Sequence, residues 1–336
     1  MSLKIVHNLT TYITRGKITE SIHKSKCIIK DYNYKTIFST NNNTEMVYPR
    51  SAIKVFQSIP FVKSQAYKKY SLSPKQIAIS CASHYGEKEH IRVLTEWIKK
   101  ININKKMLKC GIHNPLNLNS SNNLLLSGKV PNELYNNCAG KHLAMLTGCM
   151  MYGLDTQNYV SINHPYQKYI RNILEHFSEC KISNQQKGID GCSAPQYAFP
   201  LESLSISMIN LIKNFKENLK YSKEVRLLIN SVVKYPHLIG SKAKYDSQLM
   251  QVTNGKVFAK WGAEGVLLFC HNEKKIGGVI KVIDGNERAL PSTANEIFKK
   301  IKLLNSKELK QLSNWTRQPI YNHAKIQTGK IYSKIT

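Results

Sequence analysis

Arginine and acidic residues are scarce in this chain. Its 336 residues include seven arginines against 42 lysines, and only 21 Asp and Glu, for a net charge of +28. So little acid excludes a calcium-buffering class of protein. So little arginine argues against reading of bases or clamping of phosphates, which lean on the bidentate guanidinium fork. The lysines stand singly among Asn, Ile and Tyr, as in Ile101-Asn102-Ile103-Asn104-Lys105-Lys106. All four residue types have AT-rich codons, so genomic base composition accounts for the charge, and no nucleic-acid partner is expected. A basic protein that binds anions without catalysis is the weaker alternative.

Long apolar runs are missing as well. The longest, around residues 262–270, is interrupted by Glu264, so no membrane span and no membrane partner are expected. Residues 1–14 alternate apolar and polar side chains and do not read as a signal peptide. The eight cysteines show no short repeated spacing. Free, buried thiols in a cytoplasmic protein are therefore expected in place of a disulfide framework. No internal repeat is visible.

What is present is a chain with 42% hydrophobic residues, ample for a substantial core. Strands are expected at 5–14, 27–31 and 36–39, with a turn at 41–45. Helix-like spacing runs over 50–66 despite Pro60, and helices follow at 75–80, 87–100, 141–152, 164–178, 201–219 and 222–234. Residues 105–128 and 188–200 read as loops. Strands at 252–258, 265–270 and 277–283 suggest an antiparallel meander, before a helix at 291–304 and another possible strand in the tail. Strands at both ends with helices between them predict an α+β fold with one sheet assembled from both termini.

Four segments carry candidate chemistry. In Arg50-Ser51-Ala52-Ile53-Lys54, a serine and a lysine three residues apart share a helix face, so the amine can act as base toward the hydroxyl. To do so the lysine must lose its proton, which desolvation or a neighbouring cation favours. Ser-x-x-Lys occurs five times in this lysine-rich chain, at Ser21, Ser51, Ser178, Ser231 and Ser241, so the spacing alone is not selective. Ser80-Cys81-Ala82-Ser83-His84-Tyr85-Gly86-Glu87 reads equally as an active-site loop or as a turn between helices. Cys138 and His142, four apart, could join the thiol of Asp190-Gly191-Cys192 in a metal site, or the cysteines could simply be buried. The glycines of Lys260-Trp261-Gly262-Ala263-Glu264-Gly265 allow either close approach to a ligand or hairpin turns.

In order along the chain, these segments resemble one family. The matching stretches are Arg15-Gly16 with Glu20-Ser21-x-His23, Arg50-Ser51-x-x-Lys54-x-Phe56-Gln57, and Cys81-Ala82-Ser83-His84-x-Gly86-Glu87. Next come Cys110-Gly111-x-His113-x-Pro115, Asn136-Asn137-Cys138-x-Gly140-Lys141-His142 and His164-Pro165-x-Gln167. Asp190-Gly191-Cys192-Ser193-Ala194-Pro195, Lys260-x-Gly262-Ala263-Glu264-Gly265 and Asp284-Gly285-x-x-Arg288-Ala289 complete the series. Together they resemble the thermolabile, zinc-containing L-asparaginases of the rhizobial type, the asparaginase II family.

That resemblance implies a single catalytic domain over 1–336, with N-terminal strands in 1–49, a helical middle in 50–250, and C-terminal strands and a helix in 251–336. The fold would be similar to serine β-lactamases and penicillin-binding proteins, a central antiparallel sheet with helices packed on it. It implies hydrolysis of the side-chain amide of L-asparagine, with a related glutaminase-like amidohydrolase as the alternative. The family's two Ser-Lys pairs carry over to Ser51 with Lys54 and to Ser83 with Lys260. Its zinc ligands carry over to Cys138, Lys141 and Cys192, so the resemblance selects Lys141 where spacing favoured His142. Arg50 is a candidate for the substrate carboxylate, and Asp190 for the α-ammonium or for orienting a lysine. A homodimer is expected by resemblance alone. Ala139 and Val55 depart from the family pattern, which usually has Ser and Pro there, and neither removes a proposed catalytic group or ligand.

Overall fold

The computed structural model describes residues 7–40 and 44–336. The starts of the strand expected at 5–14 and of the turn expected at 41–45 lie outside the described residues. The chain divides into two compact units: Met1–Ala52 with Phe199–Lys213 and Gln248–Thr336, and Ile53–Ala198 with Asn214–Ser247.

The first unit is built on an eight-stranded sheet. The strands follow one another in the order Arg317–Tyr321, Gln327–Ile335, Leu9–Arg15, Ile18–Asp31, Ile276–Val282, Val266–His271 and Val257–Gly262, with Thr36–Ser39 paired to Ile18–Asp31. Every pairing is antiparallel. The expected junction of the two termini is present: Leu9 pairs with Ile335 and Ile13 with Ile331, while Cys27 pairs with Ile280. The predicted α+β arrangement is thus realised, meander included.

Helices cover the sheet because its strands are apolar on both faces; Val266 to Phe269 are all buried. On one face, Phe269 meets Phe298 of helix Leu290–Lys300 edge to face, with ring centroids 4.7 Å apart. At the neighbouring strand, Ser205 Oγ of helix Leu201–Lys216 donates to the carbonyl of Gly277 at 3.3 Å. Buried hydroxyls of Thr11, Thr293 and Ser333 hydrogen-bond one another between sheet and helix, so none is left unsatisfied. His23 ties a central strand to the turn beyond Val282: its Nδ1 lies 2.6 Å from Asp284 Oδ2, and its Nε2 accepts from Arg288 Nε at 3.1 Å.

The second unit is helical. Its centre is helix Ala139–Met151, in which every residue from Ala139 to Cys149 is buried. A helix apolar almost all round can only lie inside a bundle. Pro74–Ile79, Lys88–Ile101 and Pro165–Ser178 pack against it and Ser222–Lys234 packs on Pro74–Ile79, all close to their expected bounds. Capping boxes open two of them, Ser73 with Gln76 and Glu87 with His90. Residues 50–66 are broken into Arg50–Ile53, Lys54–Gln57 and Ile59–Lys63, the gap at Ser58 falling where Pro60 has no N–H to continue the helical ladder. Within 188–200, expected to be loop, Pro195–Tyr197 pairs with Lys187–Ile189 in a hairpin. Leu118–Leu126 is a helix where a loop was expected, capped by the Asn117 side chain on Ser120 N. No described helix is long and apolar enough to cross a membrane.

Candidate active site

In the second unit, Lys54 opens a short helix and has no exposed surface. Its Nζ donates to Ser83 Oγ at 2.8 Å and to the Ala82 carbonyl at 2.5 Å, and lies 3.1 Å from Cys138 Sγ. Ser83 sits just beyond helix Pro74–Ile79, where its own N–H is held by the Ile239 carbonyl and that of His84 by the Asn137 carbonyl. Asn136 Oδ1 in turn accepts from Cys138 N at 2.9 Å. Glycine at 140 makes this convergence possible. A Cβ there would stand 2.0 Å from the Ile79 carbonyl oxygen, so only glycine lets the central helix begin against the end of Pro74–Ile79.

The hairpin brings the second thiol. Residues 190–193 close its tip, with Asp190 N bonded to the Ala194 carbonyl, Ser193 N to the Asp190 carbonyl, and Ser193 at φ 68°. Cys192 Sγ accepts from Lys141 Nζ at 3.0 Å and lies 3.5 Å from Asp190 Oδ2. Asp190 and Lys141 are 3.9 Å apart. The ligand atoms of Cys138, Asp190 and Cys192 all fall within 4.8 Å of one another. A hydrogen bond from Cys138 holds the Cys192 thiol far below its ordinary range against the effect of burial, with Lys141 assisting, and Cys138 is pushed up in return. Burial pulls the Lys141 ammonium down, but Cys192, Cys138 and Asp190 outweigh it and its pKa lies above the usual lysine range.

Two thiols and a carboxylate, those of Cys138, Cys192 and Asp190, converge with the Lys141 amine beside them, and the set could hold a metal ion. Cys138, Lys141 and Cys192 would hold the metal with Asp190 alongside, and Cys138 and Lys141 would have to give up protons to bind it. His142, the spacing-based alternative to Lys141, has its Nδ1 occupied by the hydroxyl of Tyr159 at 2.7 Å. A cleft of about 370 Å³ lined by Lys63, Tyr152, Tyr169 and Tyr221 contains none of the expected site residues.

The first unit holds the other candidates. Arg50 has φ 51°, a conformation costly to a residue with a side chain, and it leads directly into the half-buried Ser51. This turn packs on the edge strand Val257–Gly262, where a Cβ on Gly262 would lie 2.3 Å from the Pro49 carbonyl oxygen and 3.0 Å from Ala52 N. Lys260, 1% exposed, projects from the same face of that strand two residues earlier, and its Nζ donates to the Trp261 carbonyl at 2.9 Å.

A family model for L-asparaginase II matches residues 11–333, nearly the whole chain. The chain belongs to the L-asparaginase II family. It is accordingly an asparaginase-type amidohydrolase. No curated protein matches it. Among solved structures it is similar to a protein from Bacteroides dorei DSM 17855 described as a candidate beta-lactamase. The TM-score is 0.45 at 10% identity over 82% of this chain and 92% of that one, a likeness too distant to carry an argument.

The bond between Lys54 and Ser83 was not foreseen from sequence, which coupled Lys54 to Ser51. Tyr159 was missed altogether, since nothing in its local pattern distinguishes it from the chain's other tyrosines.

Proposed function

We propose that this asparaginase II enzyme hydrolyses the side-chain amide of L-asparagine to L-aspartate and ammonia through an aspartyl ester on Ser51. The family match over 11–333 carries the reading. Ser51 Oγ attacks the amide carbon while Lys54 takes its proton. The C–N bond then breaks, and the nitrogen leaves as ammonia after receiving a proton through Ser83 and Lys260. Water attacks the ester, returning the proton to Ser51 and releasing aspartate. The 2.8 Å bond from Lys54 to Ser83 supports proton exchange between these two groups. Backbone N–H groups near Ser51 stabilise the oxyanion, Arg50 pairs with the substrate carboxylate, and Asp190 orients Lys141 or meets the α-ammonium.

Zinc, when bound by Cys138, Lys141 and Cys192, supplies a fixed positive charge that shapes the substrate pocket; generation of hydroxide is not required of it, because serine is the nucleophile. The catalytic domain spans 1–336, and the working species is a homodimer. The test is ammonia release from L-asparagine and, in parallel, L-glutamine, by wild type and Ser51→Ala, with zinc quantified on the same samples. Release by wild type only, with about one zinc per chain, is expected. Equal release by Ser51→Ala removes the nucleophile, and release from glutamine alone removes the substrate.

A further inference from the structure

We infer that the cleft lined by Lys63, Tyr152, Tyr169 and Tyr221 binds a small planar anion, an aromatic ring that carries a carboxylate or a phosphate. The cleft lies wholly within the second unit. None of the residues proposed for catalysis or for the metal lines it. Four elements bound it: helix Ile59–Lys63, the end of the central helix at Tyr152, helix Pro165–Ser178, and the start of Ser222–Lys234 at Tyr221. Spaces between the helices of a bundle are common places for small ligands, and about 370 Å³ is at the low end of what such molecules fill. A space of that size suits one ring with its substituents.

Tyr221 and Ile173 are the buried part of the lining. Lys63 Nζ and Lys220 Nζ both lie over the Tyr221 ring, 5.4 and 5.3 Å from its centroid. Among the described residues neither ammonium is paired with a carboxylate. Outside the lining, Glu224 acts on the Tyr152 hydroxyl, so two positive charges stand against one negative. Tyr152 and Tyr169 meet edge to face at 5.4 Å, and the Tyr152 hydroxyl donates to the Pro60 carbonyl at 3.3 Å, which fixes its ring at the cleft. Burial, with Tyr169 and Glu224 nearby, holds that phenol above its ordinary pKa, so it adds no negative charge near neutral pH. Phenol rings favour a flat apolar partner, and unpaired ammoniums favour a negative one. An aromatic cage for a cation would not carry two lysines. No carboxylate, thiol or imidazole lines the space, and the site is one of binding.

Isoleucine-methyl NMR of the full-length protein reads the site, because Ile173 lines it and an aromatic ligand's ring current moves a methyl signal beside it. Ile173→Val assigns the signal. Benzoate and phenyl phosphate are the probes for the two head groups; cyclohexanecarboxylate supplies the charge without a flat ring, and benzyl alcohol the ring without charge. A saturable shift with at least one aromatic anion is expected, the tighter of the two naming the head group, with both controls competing at least about tenfold more weakly. Lys63→Gln and Lys220→Gln, both at exposed positions, should each weaken anion binding by about 3- to 10-fold, the loss of one charge-assisted contact. No saturable shift with either anion overturns the inference. So does competition by either control as strong as that of the anions, or unchanged affinity when both lysines are replaced. None of these outcomes depends on the serine mechanism or on zinc.

Discussion

A lysine side chain cut off from water is stable only if its N–H groups find partners, and Lys54 finds a hydroxyl, a carbonyl and a thiol. The bond to the Ser83 hydroxyl is the contact that the proposed proton-transfer role uses. Lys54→Met should lower kcat for ammonia release by about 10²- to 10⁴-fold, the usual range for a lost acid–base group, with cooperative unfolding retained in circular dichroism. Retained activity would remove Lys54 from the mechanism. His271, on a strand of the first unit, makes a separate prediction about pH. Burial, aided by Lys274, lowers its pKa from 6.5 to about 4. The folded state therefore holds it neutral while the unfolded chain takes up a proton below about 6.5. Its contribution to stability is complete above that pH and is lost as pH falls toward 4. His271→Asn should flatten the fall of the urea midpoint across this window; an unchanged slope assigns the pH dependence to other groups.

At the scale of elements, glycine decides how closely two of the site's elements approach. Gly262→Ala would force the edge strand from the Arg50–Ser51 turn. A displacement on the order of 1 Å at Ser51, the proposed nucleophile, would cost about 10²-fold in rate, so kcat should fall further than the melting temperature suggests. Gly140→Ala meets backbone, not a flexible side-chain tip, and should destabilise by about 1–3 kcal/mol or more. Chemical denaturation measures this, and wild-type stability would mean that the two helices separate without cost. The helices were the elements best expressed in sequence, because 87–100, 164–178 and 222–234 each bury one apolar stripe. The helix at Leu118–Leu126 was hidden because Leu124 is its only buried residue and its Asn and Ser favour turns. The strand expected at 252–258 begins instead at Val257 and reaches Gly262, so that Lys260 lies within it. The preceding helix Tyr245–Val252 closes through Asn254 and Gly255, both at positive φ, a stop signal masked by the apolar residues around it.

For the whole molecule, the decisive feature is a sheet whose neighbouring strands come from opposite ends of the chain. The N-terminal strand Leu9–Arg15 is paired on one side by Gln327–Ile335. Removing residues 317–336 should expose that strand's edge and abolish cooperative folding of the first unit, and a truncated chain that unfolds as wild type does would contradict this topology. Sequence by itself determined the α+β class, the order of the main elements and, through collinear short motifs, the family; these depend on local periodicity and on residue identity, which the chain carries directly. Tertiary structure alone decided which groups meet: Lys54 with Ser83 across 28 intervening residues, Lys141 with Cys192, and Tyr159 with His142. Such pairs are set by the packing of helices and by the absence of a single Cβ at residue 140, and neither leaves a period in the sequence to be read.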